Sequence, residues 1–417
     1  MDRVILHCDL NNFFASVECL YNPKIRDFPV AVCGSQELRH GIVLAKNYHA
    51  KKFGIVTAEP IWKAKQKCPN LIVIKPNFNR YLKFSKLAKN IYKDYSEYVE
   101  SFGIDECWLD VTGSINKFGN GEKLAYIIKD RIKNELGITA SVGVSYNKIF
   151  AKLGSDYKKP DAVTVISKNN FKNIVWNLPI ENLLYVGRAT KVKLNNIGIY
   201  KIGEIAKFPM DYLKKKLGKC GETIWSYANG YDKSPVLNVE YEASVKGVGN
   251  STTTRYDLTN NEEVKTIFYV LSESIAHRLR KSNLKGKTIQ ISIKDNDLNY
   301  IERQSQLESS TYLSYEIAKQ AYNIFKRNWN WNKNIRALGI RITNLQTDDI
   351  YMQYSIFTNE TKRQKLDNIE KCVDGLRSRF GDCSINRAVM LNNKLRDNSI
   401  EENIIHPFNF IGGNKNV

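Results

Sequence analysis

An α+β fold of several domains is predicted by three observations. Short apolar strands alternate with amphipathic helices over residues 1–165, a helical, glycine-punctuated stretch covers 166–235, and the order β-α-β-β-α-β occupies 241–345. At 417 residues there is room for roughly two to four such domains.

Composition narrows the function. Lys plus Arg number 63 against 43 acids, a net charge of +20. Such an excess fits a polyanionic partner, nucleic acid or an anionic membrane surface. No apolar run approaches the roughly 18 residues of a membrane span. Asp2, Arg3 and Asp9 spoil a signal peptide at the N-terminus. Nucleic acid is therefore the expected partner, with no membrane. The eight cysteines contain no Cys-x-x-Cys, and none of the five histidines stands at ligand spacing to them. They read as buried thiols in a reducing, cytoplasmic setting rather than a zinc site.

The first element, Arg3 to Leu10, is a short apolar strand with Asp9 near its end. A buried acid needs a cation or a donor. Phe13 and Phe14 follow at once, either as core or as a platform beneath a sugar or base. A strand at 41–45 leads into the helix Lys46–Phe53 closed by Gly54, where Tyr48, Lys51 and Lys52 share one face. That face is either a solvated basic surface or an anion clamp. A short helix covers 60–68, and an amphipathic helix covers 81–98.

The decapeptide Ser101–Asp110 then sets Asp105 and Glu106 among Phe102, Ile104, Trp108 and Leu109. Neighbouring strand residues point to opposite faces, so both acids can serve one centre only beside an irregularity, which Gly103 can provide. The stretch is either a hairpin tip with solvated acids or half of a divalent-metal site. Asp9 is the candidate third acid.

A helix at 121–135, an alternating strand at 139–145 and a basic helix at 147–159 ended by Pro160 complete this part, read as a sheet with helices on one face. From Gly187 to Ile199 the pattern is that of a helix-hairpin-helix, whose backbone amides can hold a phosphate, and Gly218–Gly221 offers a second candidate phosphate loop. Beyond 241, the strand at 288–294 buries one face and shows Gln290, Ser292 and Lys294 on the other, a polar and basic face for a phosphate backbone. The remainder, 346–417, is polar, with Gln353–Phe357, a helix near 361–379 and a loose end.

In combination, Asp9-Leu10 with Phe13–Glu18, Ser101–Glu106, Asn47-Tyr48 with Lys52–Gly54, Ser141–Lys148 and Lys159-Pro160 resemble the Y-family DNA polymerases, the DNA polymerase IV-like translesion class, over roughly residues 1–345. The resemblance implies a right hand: a ferredoxin-like palm (1–10 and 77–165), small fingers (11–76), a helix-hairpin-helix thumb (166–235), a βαββαβ little finger (241–345) and a tail (346–417). It implies two Mg²⁺ ions on Asp9, Asp105 and Glu106 with help from Leu10, Asp105 and Glu106 being catalytic. It implies a dNTP against Phe13, Phe14, Tyr48, Lys51 and Lys159, with Phe14 as the steric gate against a ribose 2′-hydroxyl. Primer-template DNA is expected on Gly187, Lys191, Lys294, Arg336 and Arg341. The small Ala58 falls over the nascent pair. Gln353, Ser355, Ile356 and Phe357 resemble a peptide that binds the bacterial sliding clamp.

The chain departs from the family pattern at Lys51, usually Arg, at Ala45, usually a hydroxyl, and at Tyr185, usually the first thumb-hairpin glycine. Two other classes are open. A non-catalytic DNA-binding scaffold gains nothing from three gathered acids. A phosphate-loop ATPase would need glycine where Lys281 stands in Lys281–Thr288.

Overall fold

The computed structural model describes residues 2–36, 39, 41–241, 244–348, 360–381 and 384–390. It divides into two compact units, one carrying the described residues of 2–34 and 42–241, the other those of 35–41 and from 244 onward.

The first unit is built on a five-stranded sheet in the order Val99–Ser101, Glu106–Asp110, Ile5–Leu10, Ala140–Ser145, Val163–Ile166, antiparallel except for the last pair. Ile5–Leu10 is central and buried at every position. Its apolar residues fall on both parities, so both faces need cover. Leu6, Cys8 and Leu10 pack beneath the helices Phe78–Lys93 and Gly121–Leu136. Ile5 meets Trp108 and Ala151, the latter from the helix Lys148–Tyr157 on the opposite face. The expectation of helices on one face is thus corrected. The second layer approaches so closely that a Cβ on Gly143 would lie 1.9 Å from the Ala151 carbonyl oxygen.

A smaller sheet in the order Val43–Lys46, Val30–Cys33, Ile72–Ile74 carries the helices Tyr48–Lys52 and Ile61–Lys67. Its own core contains Ala31, Val43, Ala50, Ile55, Ile61 and Ala64. Asn47 caps the first of these helices by accepting from the Ala50 N–H.

Residues 171–228 form five helices whose core takes in Ile149, Phe150 and Leu153 of the preceding helix. The helix Lys148–Tyr157 thus packs both on the sheet, through Ala151, and on these helices. Gly218–Gly221 is not a free phosphate loop, because a Cβ on Gly221 would lie 2.2 Å from the Leu213 carbonyl oxygen. Its glycine serves helix-on-helix packing.

The second unit has the expected β-α-β-β-α-β order. Its strands Tyr300–Thr311, Leu284–Asp295, Ile335–Thr347 and Gly247–Leu258 are neighbours in that order and all antiparallel. The helices Asn261–Lys281 and Ser314–Asn328 share a core with the buried parity of these strands. The expected tail is only partly a tail. Its helix, Glu360–Phe380, is tied to this unit. Buried Glu370 pairs with Arg280 and accepts from the Ser314 N–H at 2.9 Å, while Arg363 meets Glu316 at 2.8 Å. Gln353–Phe357 lies outside the described residues.

Candidate active site

The antiparallel pairing of the two central strands puts Asp9 directly opposite Glu106, so both side chains share the face covered by Lys148–Tyr157. Asp105 sits one residue earlier, in the bend that follows Gly103 at φ 134°, and its carbonyl accepts from the Leu10 N–H at 3.1 Å. The irregularity required by the sequence is present, and it joins the third acid to the end of the central strand.

The helix behind the acids supplies cations. Lys152 reaches Glu106 Oε2 at 2.5 Å, and Lys159, just past the helix, reaches Asp9 Oδ2 at 2.6 Å and Asp156 at 2.8 Å. His7, two residues before Asp9 and so on the same face, is fully buried. Its Nδ1 lies 2.8 Å from Ser155 Oγ. Its Nε2 is 3.3 Å from Glu106 Oε2, an approach too poorly aligned to satisfy that nitrogen as a hydrogen bond.

The electrostatics follow from this crowding. Burial pushes the Asp105 carboxyl up to about 6, with Glu106 adding to the shift. Burial also raises Asp9, more than Lys159 can offset. For Glu106 burial works upward too, but the neighbouring His7 ring and the Lys152 ammonium outweigh it and hold the carboxyl low. Burial lowers His7 itself, favouring the neutral ring.

Hard, anionic oxygen donors crowded at one strand end fit a hard divalent cation. Among the described residues no group of three or more His, Cys, Asp or Glu has its ligand atoms gathered around one point. The lysines occupy that role instead, Lys152 on Glu106 and Lys159 on Asp9 and Asp156.

The aromatic wall sits on the helix Phe13–Tyr21. The Phe14 ring stacks on Tyr81 at 4.2 Å with planes 10° apart and meets Phe78 edge-on. The Tyr81 hydroxyl donates to buried Glu18 at 2.8 Å, and Arg80 pairs with the same carboxylate at 2.7 Å. Phe14 is therefore held on a braced platform. Phe13 is corrected: it is only 3% exposed and belongs to the core, so its ring has no free face for a nucleotide. Tyr48 is half-buried and feels the charges of Lys159 and Asp9, whereas Lys51 is exposed, its ammonium 5.6 Å from the Tyr48 ring centroid.

The expected DNA-contacting residues are more scattered. Gly187 precedes the helix Arg188–Asn195 in extended backbone, with nothing near its missing side chain. Lys191 is paired with Glu181 at 2.6 Å. Tyr185 adopts φ 72°, the left-handed region usually left to glycine, and its exposed ring stacks on Tyr227. In the second unit Gln290, Ser292 and Lys294 are half-exposed as expected, and Arg341 pairs opposite Gln290 on that open face. The face also carries Glu302, which accepts from Gln290 and Tyr300, so it is polar but less basic than expected. Arg336 falls in a register irregularity between Ile335 and Ala337.

Sequence reasoning did not nominate His7, Lys152 or Ser155. The period of two from Asp9 back to His7 was available, but the helix that completes the arrangement only meets it in the folded state.

Residues 8–156 match the model of the impB/mucB/samB family, 245–356 that of its C-terminal domain, and 181–232 that of the DNA polymerase-iota thumb domain. A DNA polymerase IV of Acetivibrio thermocellus is 58% identical over 94% of this chain and 99% of its own length. One from Clostridium acetobutylicum is 37% identical over 94% and 99%. A solved Y-family DNA polymerase chimera superposes with a TM-score of 0.73 at 26% identity, covering 82% of this chain and 99% of its own.

Proposed function

On the premise that this chain belongs to the Y-family DNA polymerases, the polymerase IV group, we propose that it extends primer 3′ ends against a template at Asp9, Asp105 and Glu106, including across damaged bases. The observation that carries the site assignment is the cross-strand register of Asp9 with Glu106, with Asp105 bonded to the end of the same strand.

Asp9, Asp105 and Glu106 would hold two Mg²⁺ ions, with Leu10 contributing its carbonyl. Ions bound there supply charge that acidifies a primer hydroxyl and neutralises a triphosphate. The chain's own residues do the rest. Lys152 takes up Oε2 of Glu106, with His7 Nε2 nearby at 3.3 Å, which would leave Oε1 as the ligand atom. Lys159, released from Asp9, would pair with the triphosphate beside Tyr48 and Lys51. Phe14, braced by Tyr81, would block a ribose 2′-hydroxyl. Ala58, at φ 69°, would leave room over the nascent pair.

The same proposal divides the hand into palm (1–10, 77–165), fingers (11–76), thumb (166–235) and little finger (241–345). Gly187, Lys191, Lys294, Arg336 and Arg341 would meet the duplex. A cytoplasmic place of action follows from the DNA substrate. A sliding-clamp contact through Gln353–Phe357 rests on sequence alone. The phosphate-loop reading has no support, since Gly286–Thr288 lies inside the strand Leu284–Asp295 with no helix after it.

The test is primer extension with Mg²⁺ and four dNTPs on undamaged and abasic templates, comparing wild type with Asp105→Ala. Extension on both templates by wild type alone is expected. Equal extension by both proteins overturns the metal assignment, and DNA binding without extension by either points to the scaffold.

A further inference from the structure

Six tryptophans occur in the chain. Trp108, Trp176, Trp225 and Trp331 each donate the indole N–H to a defined acceptor, and Trp329 is half-buried. Trp62 differs. It is 58% exposed, and no hydrogen bond or ring contact to it exists among the described residues. Tryptophan is highly buried on average, so a bare indole on a helix calls for a partner.

Its mounting is firm. The helix Ile61–Lys67 is pinned by buried Ile61 and Ala64, with buried Cys68 just beyond it. Lys67 ties the helix to the preceding loop through the Gly54 carbonyl and Glu59, both at 2.7 Å. That loop exposes two more apolar side chains, Phe53 and Val56, each about half open. The charge around them has one sign. Residues 42–67 hold six lysines and a single acid, Glu59, which is buried and already paired with Lys67. Lys52, Lys63 and Lys65 are exposed, with no ion pair among the described residues.

An aromatic face held rigidly among unpaired cations is the chemistry that grips single-stranded nucleic acid, by base stacking and phosphate attraction together. We propose that Trp62 is a stacking platform for the unpaired template strand ahead of the nascent base pair. The proposal rests on the polymerase reading, which sets Ala58 over that pair. The Ala58 N–H donates to the Val43 carbonyl at 2.8 Å and fixes the position from which the chain runs to Trp62. Four residues span at most about 14 Å, on the order of four stacked bases at 3.4 Å each. Trp62 therefore reaches the first few template bases beyond the pair. Stacking is blind to base identity, so the platform accepts any sequence.

The test uses the full chain and primer-templates with template overhangs of one or six nucleotides. Fluorescence anisotropy reads affinity, and 2-aminopurine at successive overhang positions reads stacking. Wild type should bind the long overhang about tenfold more tightly than the short one, and quench 2-aminopurine at one or two positions. Trp62→Ala should lose both effects, Trp62→Phe should keep most of them, and both variants should still extend on the one-nucleotide overhang. Equal overhang dependence in wild type and Trp62→Ala overturns the proposal, as does equal weakening of Trp62→Ala on both substrates, which would mark a general surface defect. Absence of any extension by wild type would instead be failure of the polymerase reading.

Discussion

Lys159 Nζ lies 2.6 Å from Asp9 Oδ2 and 2.8 Å from Asp156 Oδ1, so one ammonium neutralises a strand acid and a helix acid together. The same lysine is expected at the nucleotide triphosphate. These partners are alternatives, because a divalent ion on Asp9 removes the need for Lys159 there. Lys159→Ala should therefore raise the dNTP KM about tenfold or more, the scale of a charge-assisted bond, while duplex affinity stays within about twofold. Single-nucleotide insertion kinetics and anisotropy check the two halves separately.

His7 touches no solvent and lies between Ser155 and Glu106. Under the proposed function it would help to aim the Glu106 carboxylate. His7→Ala should lower kcat by about ten- to a hundredfold, the usual cost of removing an outer-shell partner, and leave the dNTP KM nearly unchanged. A matching rise in KM would assign the residue to substrate binding instead.

Phe14 stands flat on Tyr81. Phe14→Ala opens the space a 2′-hydroxyl would enter, and discrimination against ribonucleotides should fall about a hundredfold. Paired insertion assays with dNTP and rNTP measure the ratio, and an unchanged ratio removes Phe14 as the gate.

Gly143 faces the Ala151 carbonyl with no room for a methyl group. Gly143→Ala must push the helix Lys148–Tyr157 outward, at a cost of about 1–3 kcal/mol. Lys152 moves with it. Thermal unfolding should show the loss, and extension should fall even at temperatures where the variant remains folded.

Asp374 fastens Glu360–Phe380 to Arg280 at 2.7 Å and His277 at 3.1 Å. Burial works to raise its carboxyl, but the bonds from His277 and Arg280 prevail and hold it at about 2. An unfolded aspartate titrates near about 4. The stabilisation is thus fully present above that value and is lost as pH falls toward 2. Protease cleavage within Glu360–Phe380 should increase between about pH 4 and about pH 2, and Asp374→Asn should flatten the profile.

The sequence carried the element order well because its periods were clean. The alternation of Thr288–Lys294 and the helical spacing of Asn261–Lys281 both appear as read. Asp9 and Glu106 face each other because strand register leaves them little choice. What escaped were relations set by layers. Helix cover on the second face depended on Gly143, and the burial of Phe13 depended on the rotation of its helix. Nothing in the sequence separates Lys152 from the other lysines of its basic helix; the strand carrying Glu106 does. The helix near 361–379 is legible in the sequence, but its attachment is not, because ion pairs between distant segments leave no periodic trace.

Cys8 and Cys107 stand opposite each other on the two central strands, one pair along from Asp9 and Glu106. Both are buried, as are Cys19, Cys33 and Cys68, whereas Cys220 is half-exposed and Cys372 exposed, contrary to a reading of all the thiols as buried. Burial pushes the Cys107 thiol up to about 11, so it is neither reachable nor ionised in the closed sheet. An alkylating reagent can mark this pair only during the moments when the central strands part. The rate at which the two thiols disappear is therefore a clock for parting of the central strands, read without any engineered label.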